Sequence, residues 1–383
     1  MSPPDTPRVL QLCHGYDGPF LDCARQYAVL FAGTPYLVTT VFLIGVPDER
    51  VAAACASDEV LFLGYSSKEL GGLKLGPIRR LREIIRGRDF RLCIAHRFKP
   101  TYIACVATHL PVIGVNHAFG VYQRLSRRMF ANLFRKRLLL LGVSNAVRDD
   151  IRTCLPRWPA ERTETLYNRI DIEAVQAEQL PRAQALAVLG LPSSAWVVGN
   201  VGRLHPDKDQ ATLIRGFAKA LSNLPEGSVL VILGKGRLEA ELKTLAGALG
   251  IAGQVHFLGQ VAKARRYFNA FDVFALTSDH EPFGMVLLEA MAAGVPVIAS
   301  DCGGGREVVG GVGTLFPLGD AAVLAEGLVR MSGLGAEQRS LCEQLLAQRL
   351  DEVFSDTAVR ARFWQLDTVA SLLKLELARG KYP

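Results

Sequence analysis

Residues 272–307 read DVFALTSDHEPFGMVLLEAMAAGVPVIASDCGGGRE, and this stretch decides the fold. The apolar run Val273–Leu276 has the length of a buried parallel strand, and the polar turn Thr277-Ser278-Asp279-His280-Glu281 closes it. A helix is expected from near Phe283 to Ala293, where Gly294 ends it and Pro296 blocks its continuation. Val297–Ala299 supplies the next strand, so the stretch is a βαβ unit. It carries two glutamates, Glu281 just before the helix and Glu289 about two turns below its start. The amides of Phe283, Gly284 and Met285 point to the mouth of the sheet, where a helix N-terminus favours an anion such as a phosphate. Gly284 removes a side chain and lets a ligand approach the backbone. These features offer a diphosphate cradle flanked by carboxylates that accept hydrogen bonds from sugar hydroxyls. The plainer reading is an acidic N-terminus that complements the helix dipole.

The surroundings narrow that choice. Glu281-Pro282-Phe283-Gly284, Glu289-Ala290, Gly294-Val295-Pro296-Val297, Gly303-Gly304 and Glu307 together resemble glycosyltransferase family 4. The resemblance implies an α/β protein of GT-B fold, with two Rossmann-like doubly wound domains facing each other across a cleft. It also implies a retaining, nucleotide-sugar-dependent transferase.

Composition is compatible with this. At 383 residues the chain is long enough for two domains with separate cores. Hydrophobic residues at 49% and charged residues at 21% describe an ordinary globular chain. Every apolar run is well short of about 18 residues, so no spanning helix is expected. The N-terminal MSPPDTPRVLQLC lacks a basic segment followed by an apolar one, so export is not expected. The cysteines at 13, 23, 55, 93, 105, 154, 302 and 342 form no CxxC pair and read as reduced buried thiols of a cytosolic protein. Residues 1–170 carry 24 Lys and Arg against 14 Asp and Glu, whereas the remainder carries 20 against 23. A basic first half points to an anionic partner: a phosphorylated acceptor, a membrane surface or nucleic acid.

The first half alternates strands with helical spacing, the pattern of a doubly wound parallel sheet. Strands are expected at Val9–Cys13, Val38–Ile44, Val60–Leu63, Leu92–Ala95, Val112–Val115 and Leu138–Val143. The loop Cys13-His14-Gly15-Tyr16-Asp17-Gly18-Pro19 follows the first strand and is not a GxGxxG fingerprint. In the family this loop lies near the donor diphosphate and the acceptor, which makes Gly15 a donor-side and Asp17 an acceptor-side candidate. His96 and His117 close two successive strands. By the resemblance His117 is the family's strand-end histidine that contacts the donor sugar, and His96 is a candidate on the acceptor side.

Residues 121–138 follow, and on a helix Tyr122, Leu125, Met129 and Leu133 share one face, with Phe130 and Phe134 beside it, while Arg124, Arg127, Arg128 and Arg135 gather opposite. One reading is a domain helix with a solvated basic face. The other is docking onto an anionic membrane surface. Aromatic residues are not interleaved as a base-stacking platform requires, so no nucleic acid is expected. Val143-Ser144-Asn145-Ala146 reads as a strand-to-helix turn. Tyr167-Asn168-Arg169-Ile170-Asp171 resembles the family's Asn-Gly-x-Asp turn with Arg169 at the glycine position. The Ala/Gln/Glu-rich stretch after it, with Pro181, Gly190 and Pro192, reads as the interdomain linker.

The second half opens with Trp196–Val201 and Gly202-Arg203-Leu204-His205-Pro206-Asp207-Lys208-Asp209. Arg203 and Lys208, on a strand-end loop before a helix, are placed to neutralise a diphosphate. Val229–Gly234 leads into the Gly234-Lys235-Gly236 turn. Val255–Leu258 with Gly259 resembles the segment that binds the base through backbone groups. A helix is expected from Phe363 to Leu375.

The resemblance divides the chain into an acceptor-binding domain over 1–172 and a nucleotide-sugar-binding domain over 173–361, with a helix at about 362–383 crossing back to the first. It assigns leaving-group stabilisation to Arg203, Lys208 and the helix N-terminus, without a metal. Glu289 would hold the ribose hydroxyls and Glu281 the donor sugar. Gly202, Gly234, Gly259, Phe283, Gly284 and Met285 complete the donor site. The expected activity is transfer of a hexose from a UDP-sugar to a glycoconjugate such as a lipopolysaccharide-core or lipid-linked saccharide, with no cofactor, at the inner face of the cytoplasmic membrane. The rivals are a GT-B nucleotide-sugar epimerase and a non-enzymatic basic membrane- or nucleic-acid-binding module.

Overall fold

Short runs of valine, isoleucine and leucine build two separate parallel sheets. The computed structural model describes residues 6–18 and 20–372. Residues up to Asn168, joined by the described residues from Asp356 onward, form one compact unit, and Arg169–Ser355 form a second.

The first unit contains β1 (Arg8–Cys13), β2 (Leu37–Phe42), β3 (Glu59–Phe62), β4 (Phe90–His96), β5 (Val112–Asn116), β6 (Leu138–Gly142) and β7 (Thr163–Thr165). They pair in the order β3-β2-β1-β4-β5-β6-β7. The interior strands are covered on both faces, which is why β5 and β6 are buried along their whole length and read as unbroken apolar runs. The strand β7, Thr-Glu-Thr on the sheet edge, carries no apolar signal and was not expected from sequence.

The second unit contains β8 (Val197–Val201), β9 (Val229–Leu233), β10 (Val255–Gly259), β11 (Val273–Leu276), β12 (Val297–Ser300) and β13 (Thr314–Phe316), ordered β10-β9-β8-β11-β12-β13. Its core packs Val198, Leu230, Ile232 and Val273 against Leu213, Phe217 and Leu324 from flanking helices. In both sheets sequential order reverses once, between β1 and β4 and between β8 and β11. That reversal opens a crevice beyond the carboxyl ends of the strands.

Four expectations need correction. The stretch read as a linker is structured: Ile172–Glu178 and Arg182–Val188 are helices that bury Val175 and Leu186. They belong to the second unit, where Glu178 meets Arg265 at 2.8 Å. The long terminal helix is two, Asp356–Gln365 and Asp367–Leu372, broken at Leu366; the expected span beyond 372 lies outside the described residues. The helix after β11 starts at Met285, so Glu289 sits about one turn into it rather than two.

The basic helix is the fourth correction, because its aliphatic stripe faces outward. It spans Leu125–Phe134 and packs inward through Ala131 and Phe130, the latter edge-on to Phe98 at 5.5 Å. Leu125, Met129 and Leu133 face outward, 65%, 64% and 76% exposed. Large aromatic rings out-compete the aliphatic stripe for the interior because they bury more area. The helix packs on its unit and keeps Arg124 and Arg135 exposed, as a domain helix with a solvated basic face would, but it exposes an apolar stripe as well.

Candidate functional site

At the second sheet's reversal, the loop after β8 meets the loop after β11. Gly202 donates its amide to the Leu233 carbonyl, 2.9 Å, and the Gly234 amide reaches Gly259 at 2.7 Å. The backbones here are in close contact. A Cβ on Gly234, at φ +147°, would collide with the Gly202 carbonyl, and one on Gly236 would collide with that of Leu204. Glycine is thus required by the approach of one strand-end loop to another, leaving a surface of backbone groups.

Lys208 ends a short turn, Pro206–Lys208, whose geometry is fixed by Thr277 Oγ1 donating to the Lys208 carbonyl at 2.9 Å. Its ammonium lies 2.7 Å from Glu281 Oε2, which also accepts from Ser278 Oγ at 3.2 Å. Glu281 is 7% exposed, so the pair sits largely away from water. Arg203 is exposed and 3.4 Å from Asp207, which His205 Nδ1 also approaches at 2.5 Å. Gly284, at φ +101°, caps the following helix without a side-chain hydrogen bond, and the first turn presents the amides of Met285 and Val286. Phe283 turns its ring away from the crevice onto Phe354, 5.8 Å between centroids, so only its backbone remains for a ligand. Gly304 packs on the Pro282-Phe283 backbone with its amide 2.8 Å from the Glu281 carbonyl. Glu289 is half-buried one turn along the helix.

The first sheet's reversal brings together the loops after β1 and β4, with the end of β5 alongside. His96, the last residue of β4, and His117, just past β5, meet through Nδ1 and Nε2 at 3.2 Å. Burial pushes the His96 imidazole well below its usual range, and His117 adds to this. His117 is brought down to about 4 by burial and then by the Arg97 guanidinium. Both rings are neutral at pH 7 and joined by one hydrogen bond. His14 is lowered too, by burial and then by Lys99 and Arg97. Gly15 is buried in the same loop, whereas Asp17 is exposed and stands apart from the cavity beside His117. Sequence reading missed His14, Lys99 and Arg127, which line that cavity with Arg97 and Asn116. The available signal was Arg97-Phe98-Lys99, two cations directly after a strand.

Both halves of the chain match known families. The model described as "Glycosyl transferases group 1" matches residues 182–344, and "Glycosyltransferase Family 4" matches 40–174. The chain is 36% identical over 174 residues to a D-inositol 3-phosphate glycosyltransferase of Rhodococcus jostii, covering 42% of this chain and 37% of that one. It is 35% identical over 175 residues to the lipopolysaccharide core biosynthesis glycosyltransferase LpsE of Rhizobium meliloti, 45% and 47% of the two chains. These alignments span less than half the length of either relative. A phosphatidyl-myo-inositol mannosyltransferase of Mycolicibacterium smegmatis is 29% identical over 327 residues, 80% of this chain and 76% of that one.

Among solved structures, a glycosyltransferase from Rickettsia africae superposes with a TM-score of 0.82 at 15% identity, covering 97% of this chain and all of the other. Anabaena HepE, solved with UDP and glucose, gives 0.76 at 22% identity, covering 95% and 99%. The fold is that of the GT-B glycosyltransferases. Matched in both its halves, the chain belongs to glycosyltransferase family 4.

Proposed function

We propose that this glycosyltransferase moves a hexose from a UDP-sugar to a hydroxyl of a saccharide or glycolipid, with retention and without a metal. The observation that carries the reading is the buried Lys208–Glu281 pair beside a helix N-terminus, at the reversal of a parallel sheet. An ammonium has three donors, so Lys208 can keep Glu281 and still bind a phosphate oxygen. Arg203 adds an exposed second cation, and the Gly202, Gly234 and Gly259 backbones accept the nucleotide. Glu289 holds the ribose, and Glu281 offers its second oxygen to the donor sugar. His117 is proposed to contact the donor sugar. Leaving-group charge is met by fixed donors, which need not reorganise as the bond breaks. UDP as donor is favoured by its presence in HepE, and a lipopolysaccharide-type acceptor by the name of LpsE.

The acceptor side is proposed to work at an anionic lipid surface, on the cytoplasmic face. No helix of the described residues is long and apolar enough to cross a membrane. The outward Leu125, Met129 and Leu133 instead form an apolar stripe flanked by Arg124, Arg128, Arg135 and Lys136. Leu73 and Leu75, each 69% exposed, extend it, because Lys74 lies over the Tyr102 ring and Tyr102 packs on Phe130 at 5.3 Å. Apolar insertion flanked by cations suits an interfacial element.

Thermal unfolding with UDP, GDP, ADP and their sugars tests the donor, since a ligand that binds only the folded state raises the melting temperature. A shift with UDP, deepened by one UDP-sugar and lost in Glu289→Ala, is expected. A shift with none of them overturns the donor assignment. Donor consumption without any acceptor would point to epimerisation instead.

A further inference from the structure

Two adjacent hydroxyls stand behind the Lys208–Glu281 pair, and each reaches a different member of it. Thr277 and Ser278 follow directly on β11, and both are buried. Thr277 Oγ1 donates to the Lys208 carbonyl at 2.9 Å, at the root of that side chain. Ser278 Oγ donates to Glu281 Oε2 at 3.2 Å, the same oxygen that takes the Lys208 ammonium at 2.7 Å. Both donors therefore fall on one carboxylate oxygen, and among the described residues none falls on Oε1.

That asymmetry sets an orientation. The last torsion of a glutamate is soft and roughly two-fold, so a carboxylate held at one point can turn about it. A lysine ammonium on a flexible four-carbon stem supplies charge but little direction. Ser278 supplies the direction, because its own backbone is pinned. Its carbonyl accepts from Ser300 Oγ, at the end of β12, and from Cys302 Sγ at 2.8 Å. Gly304 donates its amide to the Glu281 carbonyl at 2.8 Å, which ties the other end of the loop to the same segment. These ties would suffice if the loop needed only to be folded. The Ser278 hydroxyl goes beyond them, to a charged side chain at the mouth of the sheet. Ser278 and Ser300 are both buried, so a hydroxyl deleted there has no bulk water to take its place.

We propose that Thr277 and Ser278 are positioning residues with divided duties. Thr277 sets where the Lys208 ammonium meets the donor diphosphate, and Ser278 turns Oε1 of Glu281 toward the donor sugar. Ser300 acts one step further back, by holding the Ser278 carbonyl. The inference rests on the donor reading above and adds to it the groups that aim the pair. Each hydroxyl works through another residue, so the two halves of the donor should report on them separately.

The test is isothermal titration of the full-length protein with UDP, which carries the diphosphate alone, and with a panel of UDP-hexoses that includes UDP-glucose and UDP-galactose. Ser278→Ala should leave UDP affinity within about twofold and weaken the UDP-hexose that the wild type binds by about tenfold, the scale of one hydrogen bond to a charged group. Thr277→Val should weaken UDP and the UDP-hexose alike. Ser300→Ala should repeat the Ser278→Ala pattern with a smaller loss, and it carries the test if Ser278→Ala does not fold; melting curves follow all three variants. Equal weakening of both ligands in Ser278→Ala, or of neither, overturns its duty toward the sugar. Unchanged UDP affinity in Thr277→Val overturns the other half. A wild type that binds UDP but no UDP-hexose has no sugar contact for Ser278 to set, which also sinks the proposal. A wild type that binds neither UDP nor any UDP-hexose removes the donor reading and this inference together, whereas unselective losses in a protein that binds UDP remove the inference alone.

Discussion

Lys208 and Glu281, 73 positions apart in the chain, meet at 2.7 Å with side-chain exposures of only 18% and 9%. Each gives the other a counter-charge that water cannot supply there. The pair therefore couples the loop after β8 to the loop after β11, and disruption of either loop should be felt by both.

Removing one partner leaves a buried charge alone. Lys208→Met is expected to lower unfolding free energy by about 3–5 kcal/mol, measured by urea denaturation. The double change Lys208→Met with Glu281→Leu should recover much of that loss. A double variant no more stable than the single one would show that the pair does not act as a unit.

Glu289→Ala should reduce turnover at least about 100-fold, on the scale of losing one key site group. Its half-buried position on the helix makes a large folding penalty unexpected. Steady-state kinetics beside a melting curve separates the two effects; near-normal turnover would remove Glu289 from the site.

Gly234→Ala forces a Cβ against the Gly202 carbonyl at a backbone angle that suits only glycine. A stability loss of roughly 2 kcal/mol or more is expected, with UDP affinity falling as the loop shifts. Unchanged nucleotide binding in this variant would separate the Gly234 turn from the donor.

The histidine pair sets an acid limit. His117 is depressed to about 4 in the folded protein and would return to its ordinary 6.5 on unfolding. The unfolded state therefore binds more protons between those values, and stability rises with pH across that window. As pH falls from 6.5 to 4 the site should cost about 3 kcal/mol. His117→Asn should flatten the profile in that range; an unaltered slope would assign the acid sensitivity to other groups.

Replacing Leu125, Met129 and Leu133 together by Gln should leave stability within about 0.5 kcal/mol, as surface changes do. Sedimentation with vesicles containing phosphatidylglycerol should fall at least tenfold, and the wild-type binding should weaken with salt. Equal sedimentation of wild type and variant would retire the lipid surface, and loss of self-association in the variant would make the stripe a contact between copies.

Much of the sheet architecture was legible because buried parallel strands announce themselves as apolar runs bounded by turns. β11 was readable to the residue, whereas β7 was not, since an edge strand of three polar residues has no such signature. The 125–134 helix shows a limit of periodicity. It reports that one face is apolar, but here Ala131 is buried and Phe130 and Phe134 are half-buried, while the leucines are left outside. Of the candidate site, the strand-end loops could be read from glycines and charges. The partnership of Lys208 with Glu281, and of His14 with Lys99 and Arg127, depends on which loops the strand order brings together, and pairing order is not written in any local pattern.

The first unit is closed by residues that lie beyond the whole second unit in the chain. Phe363 and Trp364 pack edge-on to Phe31, and Thr368 reaches the Glu161 carbonyl and the Glu164 carboxylate. During translation Phe31 emerges early and must wait for some 330 further residues, on the order of 20–60 s at ~5–20 residues per second. The contiguous second unit can complete itself within that interval. The N-terminal half is thus held open on the ribosome with its aromatic surface uncovered, and a chain truncated after Ser355 would have that half never sealed.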